Sequence, residues 1–156
     1  MSKVAKTPRV KIRGTFAWAL WDWAQQPYPT LMQTFIFPVY LAGTVATADQ
    51  NPDVALGWAT AIAGVLLALT APVIGRRSDE AGRRKLWLMI NTYGLVIISA
   101  LSFFVEPRPE LFIFGLILYG AGSIVQETAF INYYAMLSQV STPKTIGRVS
   151  GYAWGF

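Results

Sequence analysis

The sequence predicts an all-α fold, a polytopic membrane bundle of four transmembrane helices plus the start of a fifth. The chain is 54% hydrophobic and only 13% charged, whereas a soluble domain is about 25% charged. Its four long apolar stretches each supply the ~20 residues that a spanning helix needs. They do not alternate with the period of two expected for strands. The distribution of basic residues along the chain is the third observation.

Basic residues alternate between the loops of the predicted bundle. Twelve of the 13 Lys and Arg residues lie in the N-terminal segment, in the loop between the second and third stretches, and after the fourth stretch. Arg108 alone lies in the loops on the other side. The positive-inside rule places the basic side in the cytoplasm. A nucleic-acid-binding protein would cluster these residues on one soluble face, so we expect no nucleic-acid partner.

The elements follow in order from these patterns. Residues 1–15 are predicted to form a cytoplasmic tail, retained because Asp22 and a proline pair interrupt the apolar run of any signal peptide. A partial N-terminal transmembrane domain, 16–156, follows. We expect a multi-pass protein of the cell membrane, surrounded by lipid. The fifth stretch supplies only about eight residues, or ~12 Å of helix, so we expect it to be truncated. The spans lie at about 16–42, 54–75, 86–105 and 111–137, with the fifth starting at about 149.

The first stretch carries polar residues where a membrane helix normally has none. The sequence "WDWAQQPYPT" contains Asp22 and two prolines, Pro27 and Pro29. Because proline cannot continue the backbone ladder, the helix should break near residues 25–29. Irregular backbone at membrane depth is tolerated where protein or water satisfies it, and broken helices often build solute sites. The candidate solute-binding or coupling residues here are Asp22, Gln25, Gln26, Tyr28 and Gln33.

The fourth stretch carries a second polar group, formed by Gln126, Glu127 and Asn132. Asp22 and Glu127 fall at similar predicted depth, where an ionised acid costs at least ~2.5 kcal/mol unless paired or hydrated. The hypothesis is that both face a water-filled cavity and carry protons or bind a cationic group. The alternative for Asp22 is snorkelling, or hydrogen bonding to nearby tryptophans. The chain has no His or Cys, and we predict no enzyme activity, catalytic residue, cofactor or metal site.

The loop between the second and third stretches, "GRRSDEAGRRK", carries the most specific motif. We expect Gly75 to end a helix and to permit close packing, and Asp79 to pair with a guanidinium or a helix N-terminus. The spacing resembles the loop signature of the major facilitator superfamily, from which Glu80 departs. The resemblance implies a latch that forms in one conformation and breaks in another. The alternative is a basic loop that only sets topology. The gating residues are Gly75, Asp79, Gly82, Arg83, Arg84 and Lys85.

Two further stretches resemble the vacuole-effluxer-like branch of that superfamily, which includes amino-acid effluxers. The residues that fit the first pattern are 22–24, Tyr28, Phe35, Phe37 and Pro38, and those that fit the second are Tyr133, Ala135, Leu137 and 147–151. The departures are Gln25, Gln26 and Pro27 in the first, and Tyr134, Ser138 and Gln139 in the second. The resemblance implies a secondary active transporter that moves a small solute, with or without protons, by alternating access. Transporters of this superfamily have about twelve spans. The C-terminal part of the same transporter, which is missing here, would therefore be a partner of this chain. The alternatives are a dimeric four-helix multidrug-type transporter and a non-transporting assembly subunit.

Overall fold

A computed structural model describes residues 12–80 and 82–155, with backbone alone at 12–13 and 78–80. All regular structure in this part of the chain is helical. Helices α1 (Ile12–Gln25) and α2 (Phe37–Tyr40) flank a π-helical segment, Tyr28–Phe35, and a second π-helical turn covers Leu41–Val45. Short 3₁₀ turns cover Ala48–Gln50 and Pro109–Leu111. The long helices are α3 (Pro52–Glu80), α4 (Arg84–Ser102) and α5 (Phe112–Val140), and α6 is Ile146–Trp154.

Three of these elements are long and apolar enough to cross a membrane. They cover Ala48–Arg77, Arg84–Ser102 and Pro109–Val140. The predicted first span is divided instead among α1, two π-helical stretches and α2, so the described residues hold three continuous spans rather than four. The expected break near 25–29 is present, since α1 ends at Gln25 and Gln26 forms a turn. Helix α6 begins three residues before the predicted start of the fifth span. The predicted N-terminal tail lies almost wholly outside the described residues.

The chain divides into two compact units, 1–25 with 136–156, and 26–135. In the first unit, α1 packs against α6, and the Thr15 hydroxyl donates to the Val140 carbonyl at 3.0 Å. Trp18, Asp22 and Gln25 are buried. Their spacing of four and three residues puts them on one face of α1. Asp22 therefore lies on the buried side of its helix.

The second unit is built around an apolar core that joins the segment 37–45 to α5. Phe37, Leu41 and Val45 pack with Val105, Phe112 and Leu118. A Cβ at Gly115 would lie 2.3 Å from Leu41 Cδ2, so glycine allows the segment to approach α5 closely. Hydrogen bonds join the same elements at one end, where Tyr40 Oη donates to the Val105 carbonyl at 2.7 Å and Gln50 Nε2 to the Pro109 carbonyl at 3.1 Å.

Helix α3 exposes large apolar side chains and carries no charged residue from 54 to 75. Trp58, Val65 and Leu69 are each at least 60% exposed and share one side of the helix. A soluble helix would present a polar face to water. A helix that is apolar all round is buried in a large core or in a bilayer. Together with its length, this surface assigns α3 to a lipid or protein environment.

The end of α3 differs from the prediction at Gly75. The helix continues five residues beyond Gly75 to Glu80, and a Cβ at Gly75 would meet nothing within 4 Å. The predictions that Gly75 ends the helix and admits a close neighbour are therefore wrong for the described residues. Gly82 performs the terminating role instead. Its φ of +57° lies in the left-handed region that follows helix ends and favours glycine.

Candidate functional site

The candidate site is the place where the π-helical segment Tyr28–Phe35 crosses α5. Tyr28 and Gln33 come from the segment, and Tyr119, Gly122 and Ser123 come from α5. We call this set of five residues the polar crossing. A Cβ at Gly122 would lie 1.9 Å from Tyr28 Oη and 3.5 Å from Gln33 Nε2. Gly122 therefore provides the space that the tyrosine hydroxyl and the amide occupy.

Gln33 is bound to α5 through both its side chain and its backbone. The Ser123 hydroxyl donates to Gln33 Oε1 at 2.7 Å, and the Tyr119 hydroxyl donates to the Gln33 carbonyl at 3.2 Å. Pro38 lies five residues after Gln33 and has no N–H, so it cannot supply the donor of a π-helical hydrogen bond to that carbonyl. Tyr119 thus satisfies a backbone acceptor that the proline leaves without its π-helical donor, as a membrane interior requires.

Removing the Tyr119 hydroxyl is expected to destabilise the protein. In Tyr119→Phe the ring stays but the half-buried Gln33 carbonyl loses its donor, which costs about 0.5–1.5 kcal/mol. Thermal unfolding of the purified protein in detergent measures the effect. Tyr93→Phe is the matched control, because Tyr93 is 63% exposed on α4. Equal melting temperatures for the two variants would contradict this role of Tyr119.

A second group of polar side chains lies further along α5. Gln126, Thr128 and Asn132 are buried. Thr128 Oγ1 donates to the Ile124 carbonyl at 2.8 Å, and Asn132 Nδ2 donates to the Thr128 carbonyl at 2.9 Å. These bonds stay within α5 and leave Asn132 Oδ1 without a hydrogen-bond partner among the described residues. The predicted Gln126 and Asn132 are therefore inside the protein, and the Asn132 carbonyl oxygen is an available acceptor there.

Helix α4 runs antiparallel to α5 along this polar group. A Cβ at Gly94 would lie 3.3 Å from Val125 Cγ1, and Arg84 Nη1 donates to the Ala135 carbonyl. Both contacts fit one register, which places Asn91 opposite Thr128. Asn91 is buried, and its Nδ2 has no hydrogen-bond partner in the described part of the chain. Asn91 therefore adds an unused donor to the helix pair that carries the unused acceptor of Asn132.

The remaining predicted residues lie elsewhere. Asp22 and Gln25 belong to the first unit, where the Gln25 side chain lies against the Asp22 carboxyl. Gln26 is exposed at the turn after α1, and Glu127 is exposed on α5 beside the buried Gln126. The structure thus brings Tyr28 and Gln33 together and buries Gln126 and Asn132. The pairing of Asp22 with Glu127 across one cavity stays a prediction.

The predicted gating motif forms the end of α3 and the beginning of α4. Arg83 and Lys85 are exposed, whereas Arg84 is half-buried and bonds to the Ala135 carbonyl near the end of α5. The Asp79 side chain lies outside the described residues, and its role as a latch stays a prediction. Arg84 is thus the motif residue that joins two helices in the second unit.

Loss of the Arg84 guanidinium is expected to loosen the α4–α5 pair. A hydrogen bond from a charged donor contributes about 1.5–3 kcal/mol, so Arg84→Gln should unfold at a lower temperature. The exposed neighbour provides the control, since Arg83→Gln removes the same charge without this bond. If both variants have the same melting temperature, the basic charge of the loop contributes to stability and the Arg84 hydrogen bond does not.

Three residues of the polar crossing were not among the predicted site residues: Tyr119, Gly122 and Ser123. They precede Gln126 by seven, four and three residues, so they share its face of α5. That spacing is a usable signal, because a polar face on one spanning helix marks the side that meets protein or water. Apart from that periodicity, serine and glycine in an apolar helix look like ordinary small packing residues. Their contact with Gln33 is visible only in the fold.

The fold and the site define a class, a polytopic α-helical membrane protein with polar side chains inside its apolar spans. The chain is 26% identical over 142 residues to an uncharacterized MFS-type transporter, YxiO, of Bacillus subtilis (strain 168). The aligned region is 89% of this chain and 33% of that protein, so the chain spans about a third of the relative's length. No family model and no solved structure matches. The chain is thus similar to part of an MFS-type transporter, and its long apolar helices suit a membrane.

Proposed function

We propose that this chain is the N-terminal part of a secondary active transporter that moves a small solute by alternating access. The polar crossing carries the proposal. Amide and hydroxyl groups from an irregular segment lie against α5, within a sequence otherwise suited to hydrocarbon. Polar groups in such surroundings are expensive unless they are hydrogen-bonded, and in membrane proteins they mark solute and ion pathways.

The irregular backbone adds a second argument for a solute site. The segment Tyr28–Phe35 is π-helical, and π-helical turns occur frequently at functional sites. Because Pro38 has no N–H, the Gln33 carbonyl cannot accept a π-helical hydrogen bond from it. The carbonyl accepts a hydrogen bond from the Tyr119 side chain instead. Broken helices of this kind line the central sites of transporters. Tyr28, Gln33, Gln126 and Asn132 would supply the hydrogen bonds to the solute.

The motif residues would control access to this site. Gly82 turns the chain sharply between α3 and α4, and Arg84 fixes the start of α4 to α5. In this scheme Asp79 forms a charge-assisted bond in one conformation and releases it in the other. Asp22, buried in the first unit, is the candidate proton carrier. The similarity to an MFS-type transporter favours this scheme over a dimeric four-helix transporter or an assembly subunit.

Solute uptake tests the proposal. The full-length protein would be reconstituted in liposomes with a pH gradient and a mixture of amino acids and other small metabolites, whose accumulation is read by mass spectrometry. We expect at least one solute to accumulate, and a protonophore to abolish the accumulation. Gln33→Leu should lower the rate about tenfold, equivalent to 1.4 kcal/mol, whereas Gln139→Leu, at an exposed position, should not. Accumulation no greater than in empty liposomes would overturn the proposal.

A further inference from the structure

One exposed face of α5 combines an acid with aromatic rings. Glu127, Phe130 and Tyr134 are separated by three and four residues, so they line the same side of the helix. Glu127 is exposed, Phe130 is half-buried, and Tyr134 is 51% exposed. We call these three residues the acidic aromatic face. Ser123 of the polar crossing precedes Glu127 by four residues, so the two sets adjoin on α5.

The two rings of this face are held in a fixed arrangement. Phe130 and Tyr134 stack with ring centroids 5.6 Å apart and an interplanar angle of 17°. Tyr133, which is almost fully buried, contacts Tyr134 edge-on at 5.4 Å and 65°. Side chains on a helix lean towards its N-terminus, so Tyr134 covers Phe130 and Phe130 extends towards Glu127. The rings therefore lie on the same side of α5 as Glu127, one and two turns further along the helix.

The charge of this face has no counterpart nearby in the sequence. Glu127 is the only charged residue between Leu111 and Pro143. An ionised carboxylate facing hydrocarbon would cost several kcal/mol, so this part of α5 meets water, protein or a ligand. A carboxylate neutralises a positive ligand, and the faces of stacked rings attract cations as well. Neither a carboxylate nor the face of an aromatic ring attracts an anion.

We propose that the acidic aromatic face binds a small organic cation, with Glu127 neutralising its charge and the rings of Phe130 and Tyr134 packing against it. This inference rests on the proposed function and names the substrate class of that transporter. The tyrosine contributes its ring and not its hydroxyl. A substrate with ammonium, phosphonium or guanidinium character fits the face, and a purely anionic solute does not.

The test compares a cation and an anion of the same shape, in separate samples. Binding of tetraphenylphosphonium and of tetraphenylborate to the purified full-length protein would be measured by equilibrium dialysis at neutral pH. We expect the cation to bind at least about tenfold more tightly, a difference of 1.4 kcal/mol. Glu127→Gln should remove that preference, and Glu127→Asp should keep part of it. Because Glu127 is exposed, Glu127→Gln should keep the melting temperature of the native protein.

The aromatic contribution has its own variants. Tyr134→Leu should weaken cation binding about three- to fivefold, the size of an accessible cation–π interaction, and Tyr134→Phe should bind like the native protein. Ile117→Leu, at an exposed position earlier on α5, is the control. Equal binding of cation and anion, or unchanged binding by Glu127→Gln, would overturn the inference. So would a Glu127→Gln variant that binds the cation normally but loses proton-driven uptake, because Glu127 would then carry protons only.

The two proposals fail in different ways. If the liposome assay shows accumulation of a neutral or anionic solute and tetraphenylphosphonium does not bind, the transporter stands and the cation inference is wrong. If tetraphenylphosphonium binds in a Glu127-dependent manner but no solute accumulates, the cation site stands and the transport proposal is wrong.

Discussion

Alanine at position 122 is expected to destabilise the protein by about 1–3 kcal/mol, the usual penalty for overpacking. The added methyl group would lie 1.9 Å from Tyr28 Oη, closer than any non-bonded contact allows. The tyrosine ring must then leave α5, and its hydroxyl must leave the polar crossing. Thermal or denaturant unfolding in detergent measures the loss, and solute uptake should fall with it.

Two further variants show whether the clash itself is responsible. Gly57→Ala is the matched control, since a Cβ at Gly57 would meet nothing within 4 Å, and alanine is the better helix former there. Adding Tyr28→Phe to Gly122→Ala removes the clashing oxygen and leaves Tyr28 Cζ at 3.2 Å. The double variant should therefore recover much of the lost stability. Strictly additive effects of the two substitutions would show that Tyr28 and position 122 do not meet.

Asparagine at position 22 is expected to abolish proton-driven accumulation and leave downhill exchange of the solute intact. Asp22 is buried on α1 beside Gln25. Asparagine keeps the shape of the side chain and one acceptor oxygen but cannot carry a proton. The rate of uptake driven by a pH gradient should drop at least about tenfold, or 1.4 kcal/mol. Exchange between equal solute concentrations at constant pH should change little.

Asp49 provides the control for this substitution. It is an exposed acid in the 3₁₀ turn Ala48–Gln50, which precedes α3. Asp49→Asn should leave both uptake and exchange unchanged. If Asp22→Asn retains pH-dependent uptake, Asp22 does not couple protons, and the alternatives for this residue apply.

Much of the fold is encoded in local sequence. Helix and loop boundaries of α4 follow from its unbroken apolar run, because such a run leaves few other ways to satisfy the backbone in a membrane. The interruption after Gln25 follows from Pro27 and Pro29, whose rings remove donors whatever the surroundings. These features depend on the residues themselves and not on their distant neighbours.

The features that the sequence did not predict are the end of α3 and the contacts between helices. Gly75 was expected to end α3, but glycine inside a helix weakens it by only about 1 kcal/mol, and the left-handed turn occurs at Gly82 instead. The side of α5 on which Glu127 lies could not be read from its neighbours, since buried Gln126 adjoins it. The role of Ser123 depends on its hydrogen bond to Gln33, which lies 90 residues away in the sequence.

Cysteine accessibility tests alternating access most directly. This chain contains no cysteine, and any cysteine elsewhere in the full-length protein would first be replaced by serine. Single cysteines would replace Gln26, exposed before the polar crossing, and Gly43, which lines a cavity of about 430 Å³ beyond it. A Cβ at Gly43 meets nothing within 4 Å, so the fold should accept the change. A membrane-impermeant maleimide would be added to each side of the full-length protein in vesicles, with and without a pH gradient. Alternating access predicts reciprocal labelling, in which one position becomes protected as the other becomes reactive. Labelling of both positions that does not change with the gradient would contradict it.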